Sequence, residues 1–246
     1  MDADDDLDVM QATSVFAMVA LLCFLDDALL QLGRFHSGQP DHWLDDFEET
    51  YRGIVEAILR EDDVRRRDEA VLVVYAYDII EALIGGVRNA LADPTAPRTF
   101  PPHRIVINPE DVQVPPGHKP HQFSDFNPDS PFAVVRADTV RPDVSAGPLS
   151  EPDNRLPAPT AAPGLVMMTM GHSLVTTLCE LGRHHGNTSG SWLDELAEKS
   201  LARIQTIRVT GFSESEKDSM INLARYYTFG ARNTSRRNID EAAQAA

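Results

Sequence analysis

The sequence predicts an all-α protein: two duplicated three-helix units related by a pseudo-twofold axis, joined by a long proline-rich crossover with little regular structure. Three observations carry that expectation. Sixteen of the seventeen prolines lie between Pro94 and Pro163. Proline removes a backbone donor and clashes with the preceding helical turn, so long helices are directed to the two flanks. Both flanks place apolar residues at helical spacing. The flanks also resemble each other, since residues 32–58 lie over 181–207 without a gap and nine of those 27 positions are identical. The chain divides into an acidic N-terminal three-helix unit (1–92), an extended crossover (93–164) and a C-terminal repeat unit (165–246). Three-helix units rarely bury their faces alone, so the two are expected to pack as one compact domain.

Each unit opens with a very apolar helix, expected over 9–35 and again over 165–185, ending in Leu-Gly-Arg-x-His. Gly33 and Gly182 are expected to loosen those helix ends. In the first copy, the run 12–25 could pass for a targeting segment, but acidic residues precede it where a signal peptide has basic ones. That run is also shorter than the roughly 20 residues needed to cross a bilayer. A buried core helix and a cytoplasmic location are the expectation. The only two cysteines, Cys23 and Cys179, sit in apolar runs and suit a reducing compartment.

The second helix opens at the tryptophan in each copy, Trp43 and Trp192, the only two in the chain. From Trp43 the apolar positions step through Leu44, Phe47, Tyr51, Ile54, Val55, Ile58 and Leu59, one face of a helix. Ser191 with Asp194 has the form of a capping pair, and Asp41 could cap the first copy. The third helix is expected over 65–92, apolar nearly all round between Ala70 and Ala76, and over 213–240, where Ser213 and Glu216 form a capping box. The middle segment offers short β-compatible pieces at 104–107 and 132–135 and is expected to lie extended across the helices.

Charge bounds the function. The chain carries a formal charge of -16, which argues against duplex nucleic acid or anionic membrane as partner, because both select Lys/Arg excess. The acidity is concentrated in residues 1–92, while residues 165–246 are neutral overall. Such a concentration suggests a face. The candidate contact residues are Asp45, Asp46, Glu48, Glu49, Glu56, Glu61, Asp62 and Asp63.

A second constellation is the repeated polar set of Arg34, His36 and Asp45 with Arg183, His185 and Asp194. Converging near a pseudo-twofold axis, the Arg and His pairs could take a small anion or a metal. The structural alternative is that Arg and His favour the negative end of one helix, and the Asp pair the positive start of the next. Asp26 and Asp27 interrupt the first apolar helix, and one of them is expected to find a partner in Arg34 or Arg88. His118 and His121 lack the neighbouring cysteines of a zinc site. Met167, Met168 and Met170 have the character of core or interface filling. No catalytic residue, metal or cofactor is expected.

The function expected from these features is non-catalytic: an acidic helical protein that binds a basic protein partner, in the manner of immunity, antitoxin or adaptor proteins. Charge reversal at Glu48 and Glu49 should then slow association. The alternative is a small-ligand or metal-binding protein, possibly an enzyme, built on Arg34, His36, Arg183 and His185. Self-association, with the neutral half of one copy meeting the acidic half of another, completes the set.

Overall fold

A computed structural model describes residues 3–36, 40–61, 66–95, 158–207 and 212–245. Among the described residues the protein is all-α, in the order α1 (Ala3–Gly33), α2 (Pro40–Glu61), α3 (Arg66–Ala92), α4 (Ala158–His184), α5 (Ser191–Ile204) and α6 (Glu214–Ala245). The β-compatible pieces at 104–107 and 132–135, with His118 and His121, lie outside the described residues.

α1 is the centre of the core. Every residue from Phe16 to Leu29 is buried, so this stretch has no solvent face, and it packs against α3, α4, α5 and α6. The whole span Thr13–Gly33 is long and apolar enough to cross a membrane by length and composition, and 83% of its most apolar window is buried against the other helices. In the sequence the uninterrupted apolar run ends at Leu25, where Asp26 and Asp27 interrupt it. Both carboxylates are instead buried inside the protein, and the apolar face continues past them through Leu29 and Leu32.

α4 is the second central helix, touching α1, α2, α3 and α6. It begins at Ala158, ahead of the expected 165, and takes in Pro159 and Pro163. Pro159 stands in the first turn, where backbone N–H groups have no intrahelical acceptor, so its missing donor costs little. α2 lies across α4 and beside α3, while α5 lies across α1 and beside α6. One continuous apolar cluster draws residues from all six helices.

The helix ends depart from the sequence reading at several points. Gly33 and Gly182 do not loosen their helices; they let a neighbour come close. A Cβ at Gly33 would stand 2.6 Å from Leu91 Cδ2, and one at Gly182 would stand 2.7 Å from Ile239 Cδ1 and Cγ1. The glycine that ends α4 is Gly186, at φ 72°. Its N–H bonds the Arg183 carbonyl while Asn187 N–H reaches back to Gly182 O at 2.8 Å, a Schellman arrangement. α1 closes differently, with successive bonds three residues back from Arg34, Phe35 and His36.

α5 is preceded by Gly190 and has no side-chain cap, so Ser191 is its first helical residue rather than its cap. α2 opens at Pro40, which puts Asp41 inside the first turn. The expected capping box of α6 is present: Glu216 Oε2 accepts from Ser213 N at 2.5 Å, and Glu216 N donates to Ser213 Oγ at 3.3 Å.

Candidate functional site

The outer side of α2 carries the acidic residues, because the apolar set Trp43, Leu44, Tyr51, Val55 and Ile58 is buried on the opposite side. Asp45, Asp46, Glu49 and Glu56 are exposed and Glu48 is half-buried toward α3. Glu61 is the last residue of α2, and Asp62 and Asp63 lie outside the described residues. Three of these acids are engaged within the protein. Arg88 of α3 donates to Asp45 Oδ1 at 2.7 Å, Arg52 to Glu48 Oε1 at 2.6 Å, and the Tyr77 hydroxyl to Glu56 Oε1 at 3.1 Å. The Arg52 guanidinium also lies 4.7 Å over the Tyr77 ring. Burial and the Glu56 carboxylate hold the Tyr77 hydroxyl above its ordinary pKa, so it remains a donor. The ion pairs of α2 among the described residues engage Glu48 and Asp45, not Asp46 or Glu49.

Between α2 and α3 runs an open groove of about 580 Å³, lined by Glu48, Arg52, Asp78, Glu81, Ala82, Gly85 and Arg88. Its two arginines are already neutralised by Glu48 and Asp45. Asp78 and Glu81 therefore set its sign, and the groove is acidic.

The repeated His residues come together in one ring cluster. The C-terminal ends of α1 and α4 meet, and six rings from them and from the tryptophans form one continuous array. His36 stacks on Trp43 at 5.0 Å, and His185 stacks on Trp192 at 4.5 Å. Between them, Phe35 and His184 stack at 4.9 Å, with edge contacts from His36 to His184 and from Phe35 to His185. Burial and the neighbouring His184 hold His36 below its ordinary pKa, with Glu180 opposing, and the same two causes depress His185. The partly dry seam favours the neutral imidazole at both positions. Arg34 and Arg183 are exposed, and Arg183 is bonded to Glu180 on its own helix. Among the described residues no three metal-ligating side chains converge.

Asp45 and Asp194 turn out to be helix ties. Each accepts from an arginine of the following helix: Asp45 from Arg88, and Asp194 from Arg236 at 2.7 Å, with Arg232 Nη1 also 3.3 Å away.

Asp26 and Asp27 do not pair with Arg34 or Arg88 as expected. Their partner is Arg203 of α5, whose Nη1 lies 2.6 Å from Asp27 Oδ2 and whose Nη2 lies 3.4 Å from Asp26 Oδ2. Ser200 Oγ donates to Asp27 at 3.0 Å, and Lys199 Nζ stands 3.7 Å away. Burial works against the guanidinium charge, but the Asp27 hydrogen bond and the surrounding carboxylates outweigh it and keep the Arg203 pKa above its ordinary value. The sequence signal for this partner was an Arg facing the α5 apolar stripe beside Leu201 and Ile204.

Where α2 crosses α4, a shallow cleft of about 480 Å³ is bordered by Ile54, Ala57, Val175 and Cys179. Burial pushes the Cys179 thiol up, away from thiolate, so it is not an activated nucleophile. No protein-family model, curated protein or solved structure matches this chain.

Proposed function

We propose that the chain is an internally duplicated protein whose acidic α2–α3 face captures a basic protein partner. Its two three-helix units, 1–92 and 165–246, are joined by the proline-rich segment 93–164. The duplication is supported by matched details beyond the 32–58 and 181–207 identities. His36 on Trp43 repeats as His185 on Trp192, Asp45–Arg88 repeats as Asp194–Arg236, and Gly33 against Leu91 repeats as Gly182 against Ile239. Helix contacts follow suit: α2 on α4 answers α5 on α1, and α3 on α4 answers α6 on α1.

The binding role rests on one observation above the others. The groove between α2 and α3 keeps Asp78 and Glu81 without a cation among the described residues, while both of its arginines are neutralised from α2. Asp46 and Glu49 extend the same sign along the outer side of α2. Carboxylates so arranged attract a cationic surface and speed encounter. A ligand at the imidazole seam is the less supported reading, because Trp43 and Trp192 already cover faces of His36 and His185.

The test is native mass spectrometry of the protein purified gently from its source, followed by association kinetics with whatever polypeptide it retains. A basic polypeptide bound at low salt, released at high salt and taken up more slowly by the Asp46→Lys/Glu49→Lys variant is the expected result. Association indifferent to salt and to that variant would overturn the proposal. Glu48, expected from the sequence to be a contact, is the poorer choice for reversal because it would also lose Arg52.

A further inference from the structure

We infer that the partner's docking element is a basic amphipathic helix, held by an apolar anchor at Val74 and Tyr75 as well as by the acidic groove. The inference rests on the acidic-face reading and specifies what that face takes. The inner stripe of α3 is Ala76, Ile80, Leu83, Ile84 and Val87, all buried. Its outer stripe runs through Val74, Tyr75, Asp78, Glu81, Ala82 and Gly85, successive turns of one helical face. Val74 and Tyr75, on that stripe, are 57% and 42% exposed.

Single exposed apolar residues are ordinary on a protein surface. What distinguishes these two is adjacency and register. They are neighbours, and they stand one turn before Asp78, on the stripe that becomes the wall of the acidic groove. The groove floor is open as well, since a Cβ at Gly85 would meet nothing within 4 Å. A helix laid in such a groove is read at every third or fourth residue. At a rise of about 1.5 Å per residue, the anchor and Glu81 lie roughly 9–10 Å apart along α3. A partner helix with an apolar residue two turns from its Lys or Arg matches that spacing, and a uniformly basic surface leaves the anchor uncovered.

Two synthetic helical peptides of equal length and equal lysine content supply the test, one with leucines two turns from the lysines and one with serines there. Fluorescence anisotropy at low salt should show the full-length protein binding the leucine peptide about tenfold more tightly, roughly the worth of one well-buried apolar side chain. Val74→Ser with Tyr75→Ser should bring the leucine peptide down to the serine peptide's affinity without changing the latter. Asp78→Lys with Glu81→Lys should weaken both. These positions are exposed, so thermal melts of the variants should match the parent. Equal affinity of the parent for both peptides overturns the anchor and leaves the acidic face standing. Binding of neither peptide overturns both.

Discussion

Replacing Arg203 with methionine should destabilise the protein strongly, by loss of charge at a buried pair. Asp26 and Asp27 are 1% and 3% exposed, and Arg203 is the cation that reaches both. Methionine keeps most of the side-chain volume, so the change isolates the charge. Lys199 remains, but its ammonium stands 3.7 Å from Asp27 on a side chain that is 61% exposed, where solvent screens most of its effect. Breaking a buried pair from one side costs about 3–5 kcal/mol, because the buried carboxylates lose the guanidinium set against them. In a protein of this size each kcal/mol is worth roughly 2–4 °C, so the melting temperature should fall by about 10 °C. Urea titration followed by the fluorescence of Trp43 and Trp192 gives the free energy directly, with Lys199→Met as the screened control losing no more than about 1 kcal/mol. A loss below about 1 kcal/mol for Arg203→Met would refute the dependence of these carboxylates on Arg203.

The two close-approach glycines should differ. Gly182→Ala drives a methyl against Ile239 Cγ1, near a stiff branch point, and should cost about 1–3 kcal/mol in urea titration; Gly33→Ala meets only the mobile tip of Leu91 and should cost less. Equal losses would refute the distinction. Acid should weaken the seam between the ends of α1 and α4. His36 and His185 have folded pKa values below the unfolded value of about 6.5, so their contribution is complete above that pH and is lost as pH falls through the folded values. Urea midpoints should therefore drop between about pH 7.5 and about pH 5.5, and the drop should shrink in His36→Gln/His185→Gln; an unchanged drop in that variant would assign the acid sensitivity elsewhere.

The helices were legible because periodicity and proline report them directly. Val71–Val74 by themselves suit a strand, and the apolar positions at Ile79, Ile80, Leu83, Ile84 and Val87 decide for a helix in α3, since they continue at helical spacing for three further turns. What the sequence could not report was which polar residues meet across the fold. The repeat placed His36 with His185 and Asp45 with Asp194 as sets, yet spacing alone does not distinguish an imidazole aimed at a ligand from one stacked on an indole. Arg203 was passed over because the apolar stripe of α5 is complete without it, and because its partners are 176 and 177 positions away. The glycines were misjudged for a related reason: a close approach by Leu91 or Ile239 leaves no local trace.

On the duplication proposed above, the two crossings of α2 on α4 and of α5 on α1 occupy equivalent places and are built differently. Position 51 and its counterpart 200 both bond across the crossing, Tyr51 to Thr177 at 2.5 Å and Ser200 to Asp27 at 3.0 Å. One turn on, Ile54 borders a cleft beside Val175, whereas Arg203 enters the Asp26 and Asp27 pair. The difference directs each helix to its own place. With α5 on α4, Arg203 would face Val175 and Thr176 in a cleft whose carboxylate, Glu180, is already held by Arg183; with α2 on α1, Asp26 and Asp27 would face Ile54 in place of Arg203. Either exchange strands buried charge, so the cluster discriminates between two otherwise similar packings more than it adds net stability. Replacing the cluster by the other crossing's residues, Asp26→Val, Asp27→Thr and Arg203→Ile, should recover most of the stability lost in Arg203→Met while broadening the amide NMR spectrum through exchange between packings. A variant that is both stable and as sharply resolved as the parent would refute that role.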